Sequence, residues 1–142
     1  MGTYNISNDK AKLDMEMVHD FLSREAYWSK GIPMEKVKES VAHSLCFGVY
    51  EEDRQVGFAR VISDYTTMAY LGDVFILPAY RGKGLSKMLM NSIMQHPSLQ
   101  GLRRWILLTG DAHGLYSQFG WSSIADPVRW MEIHDRNVYS KK

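Results

Sequence analysis

The residues with the clearest capacity for chemistry lie in one glycine-rich run, Val74-Phe75-Ile76-Leu77-Pro78-Ala79-Tyr80-Arg81-Gly82-Lys83-Gly84-Leu85-Ser86. A turn of this kind between a strand and a helix leaves several backbone N–H groups unpaired at the positive end of the helix. Donors and dipole together make an anion site, most often for phosphate. Gly82 and Gly84 let the backbone approach such a ligand without an intervening Cβ, and Arg81 and Lys83 add positive charge beside it. Spacing excludes two common phosphate loops. A Walker loop requires Gly, four residues and then Gly-Lys-Ser/Thr, which the chain lacks, and a dinucleotide fingerprint requires Gly where Lys87 stands.

A second run, Asp111-Ala112-His113-Gly114-Leu115-Tyr116-Ser117-Gln118-Phe119-Gly120-Trp121, follows one helix and one strand later. The order and spacing of the two segments resemble the GNAT superfamily of acetyl-coenzyme-A-dependent N-acetyltransferases. The first resembles its Arg-x-x-Gly-x-small coenzyme loop, and the second its Ala-x-x-x-Tyr-x-x-x-Gly-aromatic signature. In its order of elements the resemblance spans the chain; motif-level detail covers about 70 to 121.

The resemblance implies acetyl-CoA as co-substrate. Its pantetheine arm would pair with backbone near Phe75, Ile76 and Leu77, much as an added strand does, and its pyrophosphate would sit on the N–H groups of Arg81, Gly82, Lys83, Gly84, Leu85 and Ser86. Thr109, Ala112 and Tyr116 complete the implied coenzyme contacts. Two positions depart from the family's pattern: Ser86 replaces a Gly or Ala, and Thr109 stands where many relatives carry Asn. Trp121 in place of Phe is conservative.

Acyl transfer needs a neutral amine, a polarised carbonyl and an acid for the leaving thiolate. Tyr116 is the implied acid, a phenol of pKa about 10, and a backbone N–H near Phe75 the implied oxyanion donor. Deprotonating an alkylammonium at pH 7 costs roughly 4 kcal/mol, so a base is useful. Asp73, a carboxylate inside an otherwise apolar strand, is the candidate, with a structural pairing to Arg60 as the alternative. Tyr27, Trp28, Phe47, Asp64 and Tyr65 are the candidate amine site, where aromatic faces and carboxylates suit an ammonium. The acceptor class implied is a small-molecule primary amine. A non-catalytic acyl-CoA sensor and a protein lysine or N-terminal acetyltransferase are the alternatives.

These residues need a scaffold, and the apolar periodicity describes one. Residues 3–8 suit a short strand. From 13 to 28 the pattern is helical, with Met15, Val18, Phe21 and Leu22 on one face. Pro33 suits the first turn of a second helix carrying Met34, Val37 and Val41 inward. Period two from 45 to 63, turning at Glu52-Asp53-Arg54, predicts a hairpin. A strand over 68–77, the glycine loop, a helix ended by His96-Pro97 and the apolar run 105–109 form a βαβ unit with parallel strands. That last run reads as a strand covered on both faces. A short helix over 111–119 and two closing strands, near 121–124 and 128–134, complete one α/β domain over 1–142. Its sheet is mixed and mostly antiparallel, with a central, splayed parallel pair and helices on both faces.

With 142 residues, 45% hydrophobic and 23% charged, the chain suits an ordinary globular domain rather than a disordered one. A net charge of +1 provides no global attraction for nucleic acid or an anionic membrane. The single Cys46 excludes an intrachain disulfide and a multi-thiolate metal site, and the five histidines show no ligand spacing, so no metal is expected. Arg103-Arg104 and Lys141-Lys142 read as solvated charge. No run resembles a signal peptide or a bilayer span, which makes the cytoplasm the expected address and a monomer or homodimer the expected state.

Overall fold

Period-two patterning through the middle of the chain builds an antiparallel meander. The computed structural model describes residues 2–140. β1 (Tyr4–Ser7), β2 (Leu45–Glu51), β3 (Arg54–Ser63), β4 (Met68–Ile76) and β5 (Arg104–Leu107) lie side by side in chain order. The first three pairings are antiparallel and β4–β5 is parallel. Four helices accompany the sheet: α1 (Met15–Asp20), α2 (Met34–Ala42), α3 (Leu85–Met94) and α4 (His113–Ser117).

Both faces of the sheet are covered, so β2 is buried continuously from Cys46 to Tyr50. On one face Leu85, Leu89, Met90 and Ile93 of α3 pack on Phe47, Val49, Val61 and Leu71. On the other, Val18, Val37 and Val41 of α1 and α2 pack with Phe21, Leu22, Cys46, Phe58 and Phe75. Phe75 stacks on Phe21 with centroids 3.9 Å apart and lies 5.9 Å from Phe58. Cys46 sits beneath α2 with its Sγ directed at the Val41 carbonyl 3.7 Å away, and burial pushes its thiol up to about 11.

The helix expected over 13–28 is shorter and changes character. Asp14 caps it by accepting from the Met17 N–H at 3.1 Å. After Asp20 the backbone widens into one π turn over Phe21–Glu25 and then extends at Ala26. Such turns are frequent at functional sites, and this one delivers Tyr27 and Trp28 to the sheet's C-terminal end.

Several expectations are corrected. The closing strands near 121–124 and 128–134 do not form: Pro127, which has no N–H and a fixed φ, starts a 3-10 turn over Pro127–Arg129 where a ladder was expected. The parallel pair therefore ends the sheet instead of standing at its centre. The run 105–109 is a half-covered edge strand that stops at Leu107, with Leu108 82% exposed. Arg104 is not simply solvated, since its guanidinium lies 5.1 Å over the Trp130 ring; Lys141-Lys142 lie outside the described residues.

Phe58 is fully buried where β3 meets both Phe75 and the α1–α2 layer. Phe58→Ala is expected to lower unfolding stability by about 3–5 kcal/mol, read as a fall in the urea midpoint at unchanged slope.

Candidate active site

β4 runs past its parallel partner, and this mismatch opens the site. The β4–β5 ladder ends at Leu71 opposite Leu107, whereas β4 continues to Ile76. Beyond Leu71, no strand pairs with the β5 side of β4 among the described residues. A cleft of about 1870 Å³ starts there, reaching from Arg81 and Ser86 at one end to Trp28, α2 and the C-terminal segment at the other.

At the first end, Leu77 donates its N–H to the Val56 carbonyl at 2.8 Å, and Pro78–Tyr80 form a single 3-10 turn before the glycine loop. Gly82 and Gly84 have φ of +79° and +78°, and a Cβ at either would meet nothing within 4 Å. The left-handed backbone, rather than crowding, is what requires glycine. Gly84 caps α3 with no side chain over the helix end, so the first N–H groups of α3 face open space. The Arg81 side chain folds back, its Nε donating to the Ile76 carbonyl at 3.0 Å. It fastens the end of β4 to the loop, with its two Nη groups left for an anion. Lys83 is exposed at the rim, and Leu85 belongs to the core.

On the β5 side, the Thr109 hydroxyl accepts from the Ala112 N–H at 3.0 Å and the Asp111 N–H at 3.4 Å, shaping the turn that starts α4. Thr109 thus has a role within the chain's own turn. Tyr116 is 8% exposed, borders the cleft and packs on Trp121 with centroids 6.0 Å apart. Burial, and then the charge of Asp111, raise its phenol above the ordinary value. Its hydroxyl therefore stays protonated at neutral pH.

The middle of the cleft is organised by Asp73. The β3–β4 register shifts between Phe58 and Arg60, where Asp73 and Val74 of β4 stand opposite the single Ala59 of β3, a bulge on β4. Asp73 takes φ +54° inside a strand, a strained conformation that Asp tolerates better than most residues. Its Oδ2 accepts from Arg60 Nε at 2.8 Å, and its Oδ1 accepts from Trp28 Nε1 at 2.9 Å. Arg60 Nη1 also donates to Ser44 Oγ at 3.0 Å, and that hydroxyl donates to the Ser40 carbonyl. One chain of polar contacts thus ties the α1–α2 loop, α2, β3 and β4 together. Both charged side chains are largely covered, at 18% and 12% exposure, so deleting either would leave a buried charge unpaired.

Trp28 is half-exposed in the cleft, and Tyr27 meets it edge-on at 5.1 Å. Phe47, Asp64 and Tyr65 are not brought there. Phe47 is 1% exposed within the α3-side core, against the His96 ring. Asp64 closes the β3–β4 turn by accepting from Thr66 and Thr67, and those bonds, the Thr67 hydroxyl first, hold its carboxyl well below the usual range. Tyr65 occupies that turn with φ +63°.

Sequence reasoning missed several cleft residues: Tyr70 on β4, Glu35, Lys36 and Glu39 on α2, and Glu132, Ile133, His134 and Arg136 of the C-terminal segment. Alternating exposure on β4 could have pointed to Tyr70; nothing in the spacing pointed to the others. At this end Arg60 and Asp73 cancel as an ion pair, and the remaining carboxylates Glu25, Glu35, Glu39 and Glu132 outnumber the cations Lys36 and Arg136. The balance favours a cationic ligand. Among the described residues no group of His, Cys, Asp or Glu could hold a metal ion, and no helix is long and apolar enough to cross a membrane.

The profile of the GNAT acetyltransferase family matches residues 15–121. The chain belongs to this family. A Xanthomonas campestris pv. campestris protein assigned to the GNAT family shares 50% identity, with a TM-score of 0.95 over 99% of each chain. A Gibberella zeae protein assigned as an acetyltransferase is 32% identical over 139 residues, 82% of this chain and 77% of its own. A Clostridium acetobutylicum protein assigned as an acetyltransferase and crystallised with acetyl-CoA shares the fold, with a TM-score of 0.66 at 13% identity over 94% of this chain and 96% of its own. GNAT enzymes use acetyl-CoA, and the open glycine cradle and unpaired β4 backbone of this acetyltransferase fit such a co-substrate.

Replacing Gly82 or Gly84 by Val forces a branched side chain into positive φ. Each variant is expected to weaken acetyl-CoA binding by at least about 10-fold in calorimetric titration, with the thermal midpoint lowered by several degrees through backbone strain of about 1–3 kcal/mol.

Proposed function

We propose that this chain, acting as a single acetyltransferase domain, transfers the acetyl group of acetyl-CoA to the primary amine of a small molecule. One observation carries the reading. The cleft joins an anion cradle at Arg81–Ser86 to an acidic, aromatic chamber, with Tyr116 and Asp73 bordering the passage between them. Acetyl-CoA supplies an acyl carbon activated by a thiolate leaving group.

The protein's part is to bind, orient and move protons. N–H groups of the loop hold the pyrophosphate, and the free side of β4 near Phe75, Ile76 and Leu77 pairs with the pantetheine amides. A β4 N–H near Phe75 faces the developing oxyanion. In the acceptor chamber, Tyr27 and Trp28 offer ring faces to the ammonium, and the acidic rim draws it in. Asp73 takes the ammonium proton, directly or through water. Each of its oxygens keeps a second lone pair after bonding Arg60 and Trp28. The amine attacks the carbonyl carbon, the C–N bond forms, the C–S bond breaks, Tyr116 gives its phenolic proton to the sulfur, and the proton that the acylated nitrogen sheds returns to the Tyr116 phenolate through water. The same proposal places the enzyme in the cytoplasm, with the coenzyme pool.

The direct test is acetyl-CoA-dependent thiol release across a panel of small primary amines. Turnover with at least one amine is expected; tight acetyl-CoA binding with no turnover on any amine or peptide would convert the reading to a sensor. Tyr116→Phe is expected to reduce kcat about 10²-fold or more while leaving acetyl-CoA affinity within about 2-fold. Because the phenol of Tyr116 is raised, wild-type kcat should not decline through its ionisation below about pH 10.

Asp73→Asn keeps an acceptor for the Trp28 indole and removes the charge. At pH 7 kcat/KM for the amine should fall about 10²-fold, recovering above about pH 9, where more of the amine is already neutral. An equal deficit at every pH would make Asp73 a positioning residue instead.

A further inference from the structure

One tyrosine of the cleft serves neither the core nor the proton transfers. Tyr70 stands on β4 shortly before Asp73, half-buried in the cleft wall. In the register it lies opposite Ile62 of β3 and Ile106 of β5, and directly opposed residues share a face of the sheet. The next row on that face is Cys46, Arg60 and Gly72, and Cys46 packs with α1 and α2. Tyr70 therefore projects on the α1–α2 side, as part of the floor of the acceptor chamber.

The strand is shaped around its ring. Gly72 has ordinary strand backbone, without the positive φ that calls for glycine elsewhere in the chain. What excludes a side chain there is Tyr70: a Cβ at Gly72 would lie 2.9 Å from Cε1 of the ring and 3.6 Å from Cδ1. The ring thus lies along β4 over Gly72, toward Asp73. Burial, and then the charge of Asp73, raise its phenol above the ordinary value, and Arg60 opposes them. The hydroxyl is protonated at neutral pH and can both donate and accept. It has no hydrogen-bond partner among the described residues, whereas the hydroxyls of Tyr4 and Tyr80 both donate to Glu51.

The polar groups beside it are already matched. Arg60 and Asp73 form an ion pair, Arg60 also holds Ser44, and Trp28 holds Asp73. The pair leaves no net charge at this point of the wall, and Ile62 and Leu108 make its surroundings apolar. One neutral hydroxyl next to Asp73 is what remains for a ligand.

We infer that Tyr70 is a specificity-determining residue whose phenol hydrogen-bonds a hydroxyl on the carbon adjacent to the amine-bearing one, so that vicinal amino alcohols are the preferred acceptors. The inference rests on the reading that the acceptor amine meets Asp73. With the nitrogen at that carboxylate, a hydroxyl on the adjacent carbon suits a phenol lying over the preceding residue. A plain alkylamine presents a hydrocarbon group there and leaves the phenol unpaired.

The test compares amines with and without that hydroxyl, ethanolamine against propylamine and phenylethanolamine against phenethylamine, in acetyl-CoA-dependent thiol release. The hydroxyl also lowers the amine's own pKa, which favours the alcohol equally in every variant. The readout is therefore the change in the ratio of kcat/KM within each pair. Wild type is expected to prefer the alcohols. Tyr70→Phe, which keeps the ring, is expected to cut that ratio about 10-fold through a higher KM for the alcohol. Gly72→Ala, which displaces the ring and keeps the phenol, should have a similar effect, and the double variant no larger one, because both changes remove the same contact. Titration with acetyl-CoA checks that each variant is folded. A ratio unchanged by Tyr70→Phe or by Gly72→Ala, an equal loss on both members of a pair, or a loss in kcat that recovers at high pH, the mark of a proton relay, would each overturn the inference and leave the acetyltransferase reading standing. Absence of turnover with every amine would remove that reading and this inference together.

Discussion

Two parallel strands of unequal length set the terms for the whole site. Backbone N–H and C=O groups in a sheet must find partners, and β4 has none from β5 beyond Leu71. A sheet tolerates such a gap only where something else, solvent or an extended ligand, takes the missing ladder. The remaining structure keeps the gap from closing. Arg81 pins the end of β4 to the glycine loop, Thr109 turns the chain away at the end of β5, and the Pro78 turn sends α3 across the opposite face. Coenzyme selectivity on this reading is largely a property of backbone geometry, with few side chains dedicated to it.

The bulge at Asp73 is the second constraint, and it couples layers that otherwise share only apolar contacts. A carboxylate at positive φ within a strand is strained, and it persists because Arg60 and Trp28 satisfy both of its oxygens. The same bonds fix the α1–α2 loop against the sheet, so that wall of the cleft inherits its rigidity from the ion pair. Residues on three elements therefore set the shape of the chamber, and none of them can change alone without disturbing the others.

Much of this was legible in the primary structure, for identifiable reasons. The positive φ of Gly82 and Gly84 and the place of Tyr116 beside the cleft follow from local backbone conformation and fixed spacing. The meander and the βαβ unit follow from a change of apolar period. What stayed hidden depends on contacts far apart in sequence. Phe47 sits in an alternating strand whose two faces are both covered, so periodicity could not say which way it pointed. The Trp28–Asp73 bond spans 45 residues, and no local pattern encodes it. The C-terminal segment has the composition of a strand, and Pro127 together with the missing partner decides against one.

Cys46, described above as a core residue under α2, has a practical bearing on the enzymology. It is the chain's single thiol, it is 1% exposed, and burial holds it protonated far above neutral pH. A disulfide-exchange dye added to the native protein has no protein nucleophile to react with. The colour that develops in a coupled assay then reports free coenzyme, with no background to subtract for the enzyme itself. By the same token, association seen without reductant is non-covalent, and a reducing agent can be left out of preparations without risk of air-oxidised cross-links in the folded state.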